Sequence, residues 1–212
     1  MRKLILMIIG IIAFTSPSEA QLVRSRTFAE KKKTGYNIVS VGYDAMFLDQ
    51  GYGTLNGANL QYLHGFRVTK KVPLFIEIGA EISYNTKTYK YQRYGYGNIY
   101  KNLKSKLSIV SGRIPVNISY RFNLVKHFSI QPYTGCNFRI NEFIDRGNVV
   151  TGYVDPEIIQ AGWQIGLGFN VSKLYLGLQY GLDFLPIGSD LYGKEETDIN
   201  SSRLLVSIGV NF

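Results

Sequence analysis

Between Lys87 and Lys106 the chain carries six basic residues, Lys87, Lys90, Arg93, Lys101, Lys104 and Lys106, and no acidic one. Tyr89, Tyr91, Tyr94, Tyr96 and Tyr100 are interleaved with them. Cationic side chains attract phosphate, sulfate or carboxylate groups, and tyrosine adds a flat amphipathic contact surface. The stretch therefore has the chemistry of a recognition surface, with Lys87, Tyr89, Lys90, Tyr91, Arg93, Tyr94, Tyr96, Tyr100 and Lys101 as its expected contact residues and lipopolysaccharide, a surface glycan or a protein as its expected ligand. The bland alternative is a solvated loop whose charge merely suits an anionic leaflet. A later stretch has the opposite sign, with Asp190, Glu195, Glu196 and Asp198, so pairing between loops would consume part of the positive charge.

Catalytic chemistry is poorly served. An esterase or acyltransferase needs a histidine beside a serine or an acid. Only His64 and His127 exist, and Ser108, Ser111, Ser119 and Ser129 lie in no nucleophile motif. Glu77 and Glu81 share a parity that would place them on one face, but glycoside hydrolysis needs an open cleft between two such groups. There is no Cys/His cluster for a metal, Gly166-Leu167-Gly168 is not a phosphate loop, and the single Cys136 cannot close an intramolecular disulfide. No enzyme activity, cofactor or metal is expected.

These residues must be positioned by strands. Glycine at 22, tyrosine at 16 and proline at only 6 of 212 residues favour many short strands over a helix bundle. From Tyr36 onward, stretches of strand length place an apolar residue at every second position, which marks a sheet with one apolar face. The clearest run from Ile159 to Phe169, Leu174 to Phe184 and Leu204 to Phe212; Leu74 to Tyr84 and Ile114 to Phe122 follow the same rule. Weaker ones at Val39 to Phe47, Ala58 to Phe66 and Phe128 to Ile140 bring the count to eight. Short connections at Thr69 to Pro73, Asn123 to His127 and Asn170 to Lys173 alternate with longer ones at Asp49 to Gly57, Thr86 to Leu107, Asp145 to Glu157 and Ile187 to Ser202. An even strand count, short turns at one end and long loops at the other predict an all-β, eight-stranded antiparallel up-and-down transmembrane β-barrel, with strand eight closing against strand one.

A soluble lipocalin-type barrel alternates too, with its apolar residues inside. Charge placement favours the membrane form. Every lysine after Lys3 falls outside the expected strands, whereas Asp44, Arg67, Glu77, Glu81, Arg113, Arg121, Arg139, Asp183 and Arg203 fall within them, on the face opposite the apolar residues. A basic residue facing lipid at the bilayer midplane would cost about 2 to 4 kcal/mol. These nine charges are expected to form an interior network, with Arg67, Glu77 and Arg121 toward the turn end and Asp44, Asp183 and Arg203 toward the loop end. An eight-stranded barrel is just wide enough for its side chains to fill it, so a general porin is excluded and an ion gate is the sharper but less favoured reading of that network. Phe66, Phe122, Phe128, Phe169 and Phe212 at the turn ends, and Phe47, Tyr84 and Phe184 at the loop ends, match two aromatic girdles. By phase His64 faces lipid, and His127 falls in a turn.

The first residues read as an address. Arg2 and Lys3, the apolar run Leu4 to Phe14, and Ser18-Glu19-Ala20 have the order of a secretory signal peptide. The expected division is a signal peptide at 1–20, a periplasmic segment at 21–35 and the barrel at 36–212. The net charge of +9 suits an anionic surface, and export argues against nucleic acid as a partner.

With the signal sequence, the stretch Arg113-Ile114-Pro115-Val116-Asn117-Ile118-Ser119-Tyr120-Arg121-Phe122 and the ending Val210-Asn211-Phe212, the chain resembles the small outer-membrane β-barrel family common in Bacteroidota, often labelled PorT-like. The resemblance covers essentially the whole of 21–212. The expected protein is a monomer in the outer membrane of a Gram-negative cell, in contact with lipid and lipopolysaccharide. The resemblance implies that Phe212 serves as a signal to the barrel-assembly machinery. The family's namesake is associated with type IX protein secretion, so an accessory role in an export or envelope-assembly machine is the second functional reading and a lipid-modifying outer-membrane enzyme the third.

Overall fold

The computed structural model describes residues 35–69, 71–94, 100–125, 127–146, 154–192 and 195–212. The expected signal peptide and nearly all of the expected periplasmic segment lie outside them. The strands in chain order are β1 (Gly35–Leu48), β2 (Gly53–Arg67), β3 (Leu74–Tyr94), β4 (Tyr100–Tyr120), β5 (Phe122–Val125), β6 (Phe128–Arg146), β7 (Val154–Pro156), β8 (Ile159–Val171), β9 (Leu174–Asp183), β10 (Gly188–Tyr192), β11 (Glu195–Ile199) and β12 (Ser201–Asn211).

Eight of these form the wall. The order β4-β3-β2-β1-β12-β9-β8-β6 is closed by pairing of β4 with β6, and every neighbour is antiparallel. The seam between first and last strands is tied at both ends. Asn37 and Phe212 exchange two backbone hydrogen bonds of 2.9 Å. At the opposite end the Asp49 carboxylate accepts from the Asn200 backbone N–H at 2.8 Å and from its side chain at 3.0 Å.

The period-two pattern decides which face is which. On β12, Val206, Ile208 and Val210 are 50–51% exposed, whereas Leu205 and Ser207, between or beside them, are 1% and 6% exposed. Val41, Leu60, Ile78, Ile118, Ile165 and Leu178 are exposed in the same way on six other wall strands. Side chains that a soluble barrel would bury thus form a continuous outer belt, which only lipid can solvate. The lipocalin alternative is thereby overturned, and the fold is a transmembrane β-barrel. Phe66, Phe122 and Phe212 are exposed at the turn end of the belt, and Phe47, Tyr84 and Phe184 at the other.

The lumen is packed in three layers. Tyr36, Ile38, Leu63, Phe75 and Tyr175 form an apolar plug at the turn end, and Met46, Leu48, Tyr52, Leu55, Leu107, Ile109, Ile187 and Ile199 form a second at the loop end. Polar and charged side chains fill the space between. Two inward tyrosines lie over glycines directly opposite them in register: Tyr36 over Gly65 and Tyr133 over Gly166. A Cβ added at either glycine would overlap the facing ring.

Besides β5 in the expected turn Asn123 to His127 and β7 in the expected loop Asp145 to Glu157, three connections differ from expectation. The expected loop Asp49 to Gly57 is mostly strand, because pairing of β1 with β2 continues to Leu48 and Gly53. A tight turn is left, with Gln50, Gly51 and Gly53 at φ values of 53°, 83° and 67°. The expected loop Ile187 to Ser202 contains β10 and β11, which join β7 in a separate three-stranded sheet. The largest departure is Thr86 to Leu107, where β3 and β4 continue as a paired hairpin to Tyr94 and Tyr100. Lys87, Lys90, Lys101, Lys104 and Lys106 therefore do lie in strands, all of them beyond the Tyr84 girdle.

Candidate functional site

The β3–β4 hairpin stands beyond the belt because its strands are twice as long as crossing requires. Each has 21 residues, and a tilted membrane strand needs about 9–11. Register is continuous from Glu81 opposite Arg113, inside the wall, to Tyr94 opposite Tyr100. The exposed section inherits its pairing from the lipid-facing section below.

Parity then sorts the side chains. Positions 77, 81, 83 and 85 are buried in the lumen, and Lys87 and Tyr89 continue that face over the loop-end plug. The Tyr89 hydroxyl donates to the Tyr52 carbonyl at 2.8 Å, and Lys87 Nζ donates to the same oxygen while lying 4.8 Å from the centre of the Tyr89 ring. Burial of Tyr89, above the membrane, pushes its phenol up to about 12. These two members of the expected recognition set fasten the β1–β2 turn to the hairpin. The opposite parity points away from the barrel axis. Thr88, Lys90, Lys104 and Lys106 are exposed, with Lys90 directly opposite Lys104 and Thr88 opposite Lys106. Lys106 pairs with Asp145 of β6 at 3.5 Å, so the compensating acid for this lysine comes from the neighbouring strand. Further out, Arg93 is opposite Lys101, Tyr91 opposite Leu103 and Tyr94 opposite Tyr100. Tyr96 lies outside the described residues.

The interior charges form two separate groups, which places the expected carboxylate pair Glu77 and Glu81 in different surroundings. In the middle and upper lumen, Asp44 accepts from Arg203 Nε at 2.7 Å, Glu81 accepts from Arg113 Nη1 at 2.7 Å and from Arg203, and Arg113 reaches Asp44 at 3.7 Å. Arg139 pairs with Asp183 at 2.9 Å and donates to Ser201 at 2.9 Å. Toward the turn end, Glu77 is held by Tyr36, Gln131 and Asn117. Arg121 donates twice to the Gln131 side-chain oxygen Oε1, at 3.0 Å and 2.8 Å, and lies 4.0 Å over the Tyr36 ring. Arg67, at the turn-end rim, donates through Nε to the Thr69 backbone carbonyl at 3.0 Å. In these two groups, among the described side chains, four arginines face four carboxylates.

His64 is on the outer face as its phase requires, with Nδ1 2.6 Å from Asn37 Oδ1 and its ring edge-on to Phe66. Phe212 ends the last strand with its ring exposed. The two apolar plugs had a readable signal: Met46 and Leu48 share the phase of Asp44, and Phe75 that of Glu77.

No family model matches the chain, and no curated protein matches it. Among solved structures it is similar to Ail, the attachment invasion locus protein of Yersinia pestis, in complex with the heparin analogue sucrose octasulfate, at 12% identity over 84% of this chain and 99% of that one, with a TM-score of 0.47. It is also similar to Neisserial surface protein A, at 15% identity over 84% and 97% with a TM-score of 0.47. A major outer membrane protein from Thermus thermophilus is 15% identical over 84% and 99%, with a TM-score of 0.43.

Proposed function

We propose that this chain is an outer-membrane barrel in which the wall is a non-catalytic scaffold and the β3–β4 hairpin recognises an anionic ligand at the cell surface. The observation that carries this reading is base opposed to base on two rungs, Lys90 with Lys104 and Arg93 with Lys101. Like charges directly opposite each other destabilise a sheet. A phosphate, sulfate or carboxylate group held between them reverses the sign of that interaction. The Tyr94–Tyr100 rung beside them suits sugar or peptide contact. Orientation follows from the design of such barrels, with short turns in the periplasm and the long hairpin outside.

The test is a shortened hairpin. Deleting Gln92 to Asn102, joining Tyr91 to Leu103 through Asn-Gly and adding Lys90→Gln with Lys104→Gln removes both basic rungs and keeps Lys87 and Tyr89 on Tyr52. The purified variant is expected to retain the shift in gel mobility on heating that marks a closed barrel, and to lose at least tenfold in affinity for dextran sulfate, with neutral dextran bound by neither form. Undiminished binding of dextran sulfate would refute the reading. The export-machine alternative places its contacts at the turn end, where Lys71, His127 and Lys173 are exposed. A secretion defect from changes there, with the shortened hairpin silent, would favour it.

A further inference from the structure

Below the hairpin tip, the lower basic rungs face sideways over the lipid instead of upward, and their height is set by strand geometry. Tyr84, 39% exposed, is the last aromatic of the belt on β3, and its hydroxyl donates to Ser108 at 3.4 Å. Thr88 and Lys106 follow four residues on, and Lys90 and Lys104 six. At about 3.3 Å per residue and a tilt of about 40°, these rungs stand about 10 Å and 15 Å above Tyr84. A phospholipid headgroup region adds only about 5–8 Å to each side of the hydrocarbon. Lys106 can reach down into such a layer, as long basic side chains do. The Lys90–Lys104 rung stands beyond it, at a level that a headgroup built of sugars and phosphates attains.

Charge agrees with height. Lys106 has Asp145 at 3.5 Å, whereas among the residues whose side chains are described no carboxylate pairs with Lys90 or Lys104. The face is exposed, continuous with the apolar belt, and carries the Thr88 hydroxyl between its lysines. We infer that the outward face of the β3–β4 hairpin, centred on Lys90, Lys104 and Lys106, is a lateral docking site for a phosphorylated glycolipid of the outer leaflet, with its acyl chains along the belt below and its phosphates at the lysines. This inference rests on the hairpin being extracellular, as in the proposed function, and assigns to it a membrane-embedded ligand distinct from any soluble one.

The full-length mature barrel is reconstituted in nanodiscs containing bisphosphorylated lipid A, dephosphorylated lipid A or phosphatidylglycerol in a phosphatidylcholine background, then extracted, and retained lipid is counted by native mass spectrometry. The expected result is at least tenfold greater retention of bisphosphorylated lipid A than of either other lipid. Lys90→Gln with Lys104→Gln is expected to abolish that preference, whereas Lys173→Gln, at the opposite end of the barrel, leaves it intact. Equal retention of phosphatidylglycerol, or of dephosphorylated lipid A, would overturn the inference, as would a double variant that behaves as wild type. Loss of dextran sulfate binding in the shortened hairpin alongside unselective lipid retention would leave the proposed function standing and remove only this site.

Discussion

The Tyr36 ring occupies the space that a side chain on Gly65 would need, and the two residues are direct partners in the β1–β2 register. A small residue on one strand makes room for a large one on the next, and the lumen is filled without widening the wall. Gly65→Ala is therefore expected to lower stability by about 1–3 kcal/mol through overpacking. Urea unfolding in lipid vesicles measures this. The same change in a Tyr36→Leu background should cost clearly less, a coupling expected only for residues in contact.

Glu81 accepts from both Arg113 and Arg203 and also from the Gln61 amide at 3.3 Å. Glu81→Gln leaves two buried guanidiniums with Asp44 alone. Removing one partner from a buried ionic group costs about 3–5 kcal/mol. Folding yield and urea midpoint should both fall, and replacing Glu81 and Arg113 together by leucine should be less harmful than replacing Glu81 alone. A Glu81→Gln barrel as stable as wild type would show that the lumen tolerates unpaired charge.

The sequence shows most clearly what lipid imposes. Ile208 and Val210 must be apolar and Ser207 need not be, so the wall strands, their even number and the β12–β1 closure are all readable from alternation. Above the membrane that constraint ends. From Lys87 to Tyr94 both faces carry polar or basic residues, no alternation remains, and the stretch reads as a loop although its pairing simply propagates from Glu81 and Arg113. The acidic stretch at Asp190 to Asp198 is hidden in the same way, since its strands pair with each other and, through β10, with β7 outside the wall. Inside, Met46, Leu55 and Ile109 are apolar residues in the otherwise polar phase, and that shared phase is the plug's one trace in the sequence.

Tyr89 should resist ionisation. Its phenol, raised to about 12 by burial, has a folded value above the ordinary 10, so the neutral form is the one that folding favours. Its contribution is complete below pH 10 and is lost as pH passes 12. The difference in absorbance at 295 nm between wild type and Tyr89→Phe should stay flat through pH 10 to 11 and rise only near 12. A difference that titrates at 10 would place Tyr89 in water.

Both plugs and the paired charges between them leave the lumen closed. In planar bilayers the purified barrel should give no unitary current steps at 100 mV. Reproducible steps that disappear in an Arg113 or Arg203 variant would instead establish the ion-gate reading.

The most direct test of a lipid-facing outer surface uses the one tryptophan of the chain. Trp163 shares the outer face of β8 with Ile165 and Leu167, and its neighbours Gly162 and Gln164 face the lumen. In vesicles of brominated phosphatidylcholine its fluorescence should be strongly quenched, and aqueous acrylamide should have little effect. Efficient acrylamide quenching with no response to brominated lipid would contradict the membrane barrel.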